Sequence, residues 1–154
     1  MQETERMIKE QSKMINGISD SSGAVAEEMI YNSLLRNKTF ADIEFYDIDK
    51  NRKRKSSKKN LEGEYDVVLK NGDTIAVIET KYMVRKEDVT KFATTKLDIF
   101  RKLFDEYSNY KIILGVGGMS FDADAEQEAA EYGVGIIKIV GDKVEYYTDG
   151  IRVY

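Results

Sequence analysis

The stretch from Glu64 to Tyr82, EYDVVLKNGDTIAVIETKY, has the pattern of a β-hairpin and decides the fold. Asn71-Gly72 is a strong turn signal, because both central residues of a type I′ turn have positive φ. A turn at these two residues places Asp66 opposite Val77. Residues that are paired across strands, or that lie two apart on one strand, share a face of the sheet. The hairpin therefore predicts a polar face at the end away from the turn.

We expect Asp66, Glu79 and Lys81 to lie on that face. In this register Asp66 and Glu79 are diagonal neighbours, with backbones roughly 7–8 Å apart, so two carboxylates can converge on one cation. Residues 75–78 are apolar on both faces, which is typical of a covered central strand. Ionised groups beside such a strand cost free energy unless they are paired or metal-bound. The alternative is an ordinary surface Glu-x-Lys ion pair where the strand reaches solvent.

Composition limits the chemistry that such a site can use. The chain has 154 residues, no cysteine and no histidine, and a net charge of −4. Thiolate zinc sites, cysteine nucleophiles and Ser-His-Asp triads are therefore excluded. Oxygen ligands favour hard cations, so we expect Mg²⁺ or Mn²⁺ as the cofactor. The sequence shows no membrane-spanning run and no secretory signal, which favours a cytoplasmic protein that does not enter a membrane.

The remaining elements predict an α/β fold with a mixed central β-sheet flanked by α-helices, because some strands are joined through helices and others by the hairpin. Gly117-Gly118 is expected to end a buried strand. The predicted elements are a helix over 24–36, a strand over 39–49, the hairpin, a helix over 87–107, a strand over 110–116, a helix over 121–132 ending at Gly133, and strands over 134–140 and 143–147.

Residues 1–19 are polar with a narrow apolar stripe, and predict a helical extension or a tail. The stripe would dock on the domain or pair with another chain, which would give a homodimer. Ser19–Gly23 is rich in N-cap residues and is expected to separate this segment from a domain over 20–154.

Residues 50–60, KNRKRKSSKKN, form a basic run without hydrophobic periodicity, and we expect a mobile loop there. One interpretation is a solvated connection between strands. The other is an arm that contacts nucleic-acid phosphates, since clustered basic side chains release counterions when they neutralise a backbone. The residues of that arm would be Arg52, Lys53, Arg54, Lys55, Lys58 and Lys59.

The motif Asp66…Glu79-Thr80-Lys81 at the end of an apolar strand resembles the PD-(D/E)xK nuclease superfamily, whose fold is restriction-endonuclease-like. Tyr65 stands where the superfamily usually has proline. The segment over 23–27, GAVAE, resembles the first helix of archaeal Holliday-junction-resolvase-like members, in which a glutamate four residues after a glycine reaches the active site. The resemblance covers roughly residues 23–140, and its motifs are short.

The resemblance implies a Mg²⁺- or Mn²⁺-dependent endonuclease acting on DNA. Asp66, Glu79 and the Thr80 carbonyl would bind the metal, and Lys81 would orient the attacking water and offset negative charge. Glu27 would complete the carboxylate set, with Glu28 as the alternative because the phase of the helix is uncertain. The competing hypothesis is a catalytically inactive nuclease-fold module that binds nucleic acid or a protein partner.

Overall fold

A computed structural model describes residues 14–154, with side chains from residue 23 onward. The helices and strands are α1 (Met14–Arg36), β1 (Thr39–Phe40), β2 (Ile43–Glu44), β3 (Asp47–Ser56), β4 (Leu61–Lys70), β5 (Thr74–Val84), α2 (Lys86–Lys91), a π-helical segment (Phe92–Lys96), α3 (Leu97–Leu103), a 3₁₀ turn (Asp105–Tyr107), β6 (Lys111–Phe121), α4 (Ala123–Tyr132), β7 (Gly135–Val140) and β8 (Lys143–Tyr147).

Six of the strands form one mixed sheet in the order β3-β4-β5-β6-β7-β8. The β5–β6 and β6–β7 pairs are parallel, and the β3–β4, β4–β5 and β7–β8 pairs are antiparallel. The parallel pairs are joined through helices, and the outer pairs are joined by short turns, as chain connectivity requires. The predicted α/β class, with a mixed sheet flanked by helices, is confirmed.

Both faces of the sheet are covered. On one face, α2, α3 and α4 pack against a core that includes Val77, Phe100 and Leu114. On the other face, α1 packs through Ile30 and Leu34 against β4, β5, β6 and β7. The central strand β5 is therefore buried along its first half, as its doubly apolar sequence predicts. None of the helices in residues 14–154 is long and apolar enough to cross a membrane.

The first helix begins earlier than the sequence predicts. It runs from Met14 without interruption through Ser19–Gly23, so this stretch does not separate two segments. Serine and aspartate cost a helix interior only about 0.5 kcal/mol each, which makes their N-cap preference a weak boundary signal. The part of the predicted extension before Met14 lies outside the described residues.

The single strand predicted over 39–49 is wrong. β1 and β2 form a small hairpin around Ala41 and Asp42, whose φ values are 55° and 63°, and β3 begins at Asp47. Two consecutive residues with positive φ make a type I′ turn. The pair Ala-Asp lacks the glycine that usually signals such a turn, so the sequence pattern did not indicate the turn.

The mobile loop predicted over 50–60 is also wrong, because most of that run is strand. β3 pairs with β4 from Asp47↔Lys70 to Ser56↔Leu61. Arg52 and Arg54 point inward, with guanidinium carbons 5.0 and 4.2 Å from the centre of the Phe104 ring. Arginine can cover an aromatic face in place of an apolar residue. Inward and outward side chains therefore alternate along β3 as arginine and lysine. Because both are charged, a hydrophobicity pattern does not detect this strand.

The hairpin register differs from the prediction by two residues. Lys70 pairs with Ile75 and Val68 with Val77, and neither Asn71 nor Gly72 has a positive φ. The loop instead closes on the Asn71 side chain, whose Oδ1 accepts the N–H groups of Asp73 at 2.9 Å and Thr74 at 2.8 Å. An asparagine side chain can replace a backbone turn in this way. Extending the observed register brings Asp66 opposite Glu79.

Gly117 and Gly118 do not end β6, which continues to Phe121. A Cβ at Gly117 would lie 2.5 Å from Cδ1 of Ile30, and one at Gly118 would lie 2.5 Å from the Lys81 carbonyl oxygen. The glycines therefore permit close approach of α1 and β5 rather than breaking the strand, which is a recognised role of glycine within sheets.

Candidate active site

Asp66 lies where β4 loses its regular pairing on both sides. The ladder to β5 ends at Val67↔Ile78, and the ladder to β3 omits the position between Lys50↔Val67 and Arg52↔Tyr65. The residue of β3 at that position, Asn51, has a φ of 52°, a conformation that asparagine tolerates. Such local irregularities re-aim side chains. Asp66 is thereby released from the strict alternation of the strand.

The Asp66 carboxylate turns into the gap between β4 and β5. Its Oδ2 accepts the backbone N–H of Thr80 at 2.9 Å and the Thr80 hydroxyl at 3.0 Å. These two hydrogen bonds direct the Asp66 carboxylate at the edge of β5, and the shared face of Asp66, Glu79 and Lys81 stays a prediction. The N–H and C=O of one strand residue point to the same edge, so the Thr80 carbonyl opens onto this gap as well.

Glu79 points towards the helical region that follows β5, where it contacts Lys96. Its Oε2 accepts a hydrogen bond from Lys96 Nζ at 2.7 Å, and its side chain is only 16% exposed. Burial, helped by the negative charge of Asp66, raises the pKa of Glu79 to about 7, although the Lys96 ammonium opposes this shift. Burial also raises the pKa of the neighbouring Tyr65 hydroxyl, with a smaller contribution from Glu79.

The structure places Glu27, rather than Glu28, beside Asp66. Glu28 is exposed and receives a hydrogen bond from Lys50 at 2.6 Å, which lowers its pKa. Glu27 lines the same cleft as Asp66, and its pKa is raised, first by burial and then by the charge of Asp66. The helix phase that the sequence left open is thus resolved by packing, because Ala26 and Ile30 face the sheet.

The cleft has a volume of about 540 Å³ and opens between α1 and the end of β5. Lys81 is on its wall with 47% of its side chain exposed, and Nζ lies 3.8 Å from Oδ1 of Asp88, a long contact for an ion pair. Tyr82 and Arg85 line the same cleft. Two cations, an aromatic ring and two carboxylates therefore share one solvent-accessible space.

The candidate ligand atoms are all oxygens, which is the ligand type that hard cations prefer. Oε2 of Glu27 and Oε1 of Glu79 are both buried without a hydrogen-bond partner, and the negative charge of Asp66 acts on both carboxylates. Orphaned carboxylate oxygens are costly, and a bound cation would satisfy them. Among the side chains described, those of residues 23–154, however, no three acidic groups are close enough together to hold an ion. Thr80 engages Asp66 and Lys96 engages Glu79, so convergence requires side-chain movement.

The predicted nucleic-acid-contacting residues are largely engaged within the protein. Arg54 makes two 2.7 Å contacts with the carboxylate of Glu106, and Lys59 lies 3.0 Å from Asp105. Arg52 lies 3.0 Å from Asp49 and also donates to the Tyr107 hydroxyl.

The remaining lysines of the run are exposed. Lys53 is directly opposite Glu64 and Lys55 is opposite Glu62, so this face of the β3–β4 pair alternates in charge. Lys58 is exposed in the connecting turn. Binding of nucleic acid by this run stays a prediction.

Lys96 is the residue at this site that the sequence did not specify. Lys91, the other lysine in this part of the helical region, is exposed. Lys96 ends the π-helical segment, and the Tyr65 hydroxyl donates to its carbonyl at 3.1 Å. A π-turn inserts one residue and changes the phase of the following turn, an arrangement that is frequent at functional sites. Helical periodicity alone cannot locate such an insertion.

Comparisons with known proteins do not identify a family for this chain. No protein-family model matches the chain, and no curated protein matches it. One similar solved structure is the crystal structure of a protein of unknown function, AF1548, with 16% sequence identity and a TM-score of 0.49. The match covers 72% of this chain and 55% of that one, so this chain spans about half the length of that protein.

Proposed function

We propose that this protein is a metal-dependent nuclease that hydrolyses phosphodiester bonds in DNA. The observation that supports the proposal is the pair of buried, unsatisfied carboxylate oxygens on Glu27 and Glu79, two carboxylates on which the charge of Asp66 acts. Proteins rarely leave such atoms without a partner unless they have a functional role. A divalent cation is the partner that this donor set suits, because its potential donors are all oxygens.

Asp66, Glu79, the Thr80 carbonyl and Glu27 would hold Mg²⁺ or Mn²⁺. The bound ion would polarise the phosphate and lower the pKa of a water molecule. Asp66 is central to this set, because its charge acts on both of the other carboxylates. The Thr80 hydroxyl and N–H hold Asp66 at the edge of β5 when no cation is bound, and Asp66 would exchange one or both of these hydrogen bonds for the cation.

Lys81 would act on the phosphate and on the attacking water. Its ammonium is half-exposed in the cleft and is only loosely paired with Asp88. It can therefore donate hydrogen bonds to a non-bridging phosphate oxygen and orient a water molecule beside it. Negative charge grows on those oxygens in the transition state, so a positioned ammonium lowers the barrier.

The second candidate is a non-catalytic nuclease-fold module that binds nucleic acid or a protein. The observation that favours it is the ion pair between Glu79 and Lys96, which occupies one proposed ligand while the described residues contain no preformed group of three acids. A protein that never binds metal would be stable in this arrangement.

A cleavage panel distinguishes the two candidates. Single-stranded, double-stranded and branched DNA are each incubated with Mg²⁺, Mn²⁺ or EDTA. We expect cleavage with metal only, and loss of cleavage in Asp66→Asn, Glu79→Gln and Lys81→Met. Glu28→Gln is the matched control, because Glu28 neighbours the site but faces Lys50.

In parallel, calorimetry measures Mn²⁺ binding to the wild type and to the variants that are expected not to cleave DNA. We expect Asp66→Asn to lose Mn²⁺ binding and Lys81→Met to keep it. Unchanged cleavage in Asp66→Asn would contradict the site. Absence of both cleavage and Mn²⁺ binding in the wild type would favour the non-catalytic module.

A further inference from the structure

We propose that Tyr82 is a stacking surface for an unpaired nucleobase, and that the substrate strand is single-stranded or locally unpaired at the site. This inference rests on the proposed nuclease function and adds the class of substrate to it. Tyr82 follows Lys81 directly and lines the same cleft as Glu27 and Asp66. A base stacked on Tyr82 would belong to a nucleotide adjoining the phosphate that Lys81 contacts.

The Tyr82 ring is unusually accessible for an aromatic residue at the end of a central strand. Its exposed fraction is 47%, whereas Tyr65, Phe100 and Phe104 are almost completely buried. An exposed tyrosine ring offers an apolar face on which a flat group can stack. The open gap beyond Val67↔Ile78 leaves the ring uncovered by β4, because the β4–β5 ladder ends there.

The backbone that carries Tyr82 is held firmly on its other side. The β5–β6 ladder includes Lys81↔Gly118 and Met83↔Ser120, on either side of Tyr82. Tyr82 itself is omitted from this ladder, so the ring stands between two paired residues of β5 rather than on a loop. A rigid aromatic side chain loses little conformational entropy when a base stacks on it, which favours binding.

Charge at the rim favours a nucleic acid strand over an apolar partner. Lys81 and Arg85 are both exposed and both line the cleft next to Tyr82. The backbone N–H of Arg85 donates to Asp88 at 2.9 Å, which holds the residue at the start of α2. Two cations beside one accessible aromatic ring is the combination that single-strand binding surfaces use for phosphates and bases.

A regular duplex cannot use this surface fully, because its bases are stacked on each other and paired. Stacking on a protein side chain requires a base that is already unpaired, or one that is unpaired at a cost of a few kcal/mol. The inference therefore predicts preference for single strands, overhangs or branch points over blunt duplex.

Fluorescence anisotropy with labelled DNA tests the inference on the full chain. The probes are a 12-nucleotide single strand, the matching blunt duplex, and a strand of the same length made of abasic sites, in Ca²⁺ and in EDTA. Gels verify that the scored DNA is intact. We expect Tyr82→Ala to weaken single-strand binding roughly 5- to 100-fold. Tyr82→Phe should bind like the wild type, because the ring is retained.

The controls separate stacking from misfolding and from charge. Tyr46→Ala removes a tyrosine that is 73% exposed at the opposite end of β4, and should leave binding unchanged. Duplex and abasic-strand binding should change less than twofold in Tyr82→Ala, since neither offers an unpaired base. Thermal melting followed by circular dichroism should give the same midpoint for Tyr82→Ala and Tyr82→Phe.

Each outcome bears on one proposal or both. Cleavage by the wild type with equal single-strand binding in Tyr82→Ala would overturn the stacking role and leave the nuclease proposal standing. Equal losses on all three probes would also overturn it. A shift of oligomeric state in Tyr82→Ala, seen by sedimentation, would assign the ring to a second copy of the chain instead. No cleavage and no DNA binding in the wild type would remove both proposals.

Discussion

Lys96 Nζ lies 2.7 Å from Oε2 of Glu79, and this ion pair holds one of the three site carboxylates against the helices. Both side chains are mostly buried, and the Lys96 ammonium also lies 5.0 Å from the centre of the Tyr65 ring. Asp66 is held at the same time by Thr80. The two contacts together explain why the carboxylates do not converge in this arrangement, and they identify the bonds that a cation must replace.

Lys96→Met should lower the free energy of unfolding by about 1–3 kcal/mol at pH 8, because it leaves the buried Glu79 carboxylate without its cation. Urea denaturation at that pH measures the change. Lys102→Met is the matched control, since Lys102 pairs with Asp98 on the surface of the same helical run, and it should change stability by no more than about 0.5 kcal/mol. Equal effects of the two substitutions would contradict a buried role for Lys96.

The raised pKa of Glu79 predicts a pH dependence of stability in EDTA. The native state binds the proton more tightly than the unfolded chain, so stability is greatest below pH 4.5 for this group and falls as pH rises towards 7. A pKa displaced from 4.5 to about 7 corresponds to about 3 kcal/mol. Glu79→Gln should flatten the decline between pH 5 and 7 in urea titrations.

Glu28→Gln provides the control for that pH series. Its pKa is lowered by the hydrogen bond from Lys50, so this carboxyl titrates below the window in which Glu79 does. The slope between pH 5 and 7 should persist in Glu28→Gln. A slope that survives equally in Glu79→Gln would show that another group is responsible.

The elements that the sequence predicted correctly are those whose apolar residues recur with the period of a strand or a helix. The central strand β5 and helix α4, which ends at Gly133 with a φ of 67°, follow from local periodicity and a helix-ending glycine. Strand β3 was missed because two arginines on Phe104 replace the expected apolar residues. A side-chain contact between distant elements leaves no periodic trace in one sequence.

The sequence named several residues that the structure brings to one cleft, but it did not give their geometry. Asp66, Thr80 and Lys81 line one cleft, and Glu27 joins them from α1. Their mutual arrangement depends on the irregular backbone at Asn51 and on an Asx-type loop at Asn71, neither of which the turn signal revealed.

The basic run on β3 should contribute to stability through its arginines. Arg54→Ala removes two hydrogen bonds to Glu106, one to the Leu103 carbonyl at 3.0 Å and the stack on Phe104. We expect a loss of about 1–2 kcal/mol in urea denaturation. Lys53→Ala, on the outward face of the same strand, should change stability by less than about 0.5 kcal/mol.

DNA affinity measured on the same two variants separates structure from recognition. If the exposed lysines contact phosphates, Lys53→Ala should weaken binding and flatten its salt dependence, whereas Arg54→Ala should act mainly through stability. Identical salt slopes in Lys53→Ala and the wild type would argue against contact at that position.

Gly118→Ala should damage both the fold and the proposed site, because the added Cβ would lie 2.5 Å from the Lys81 carbonyl oxygen. Backbone cannot yield as a flexible side chain can, so β5 and β6 must separate at the end that carries Glu79 and Lys81. We expect a loss of about 1–3 kcal/mol in the free energy of unfolding.

Gly72→Ala is the matched control, since a Cβ there meets nothing within 4 Å and φ is not positive. It should leave stability within about 0.5 kcal/mol or raise it slightly. Calorimetric melting compares the two, and equal midpoints would show that the close approach of β6 to Lys81 is not required.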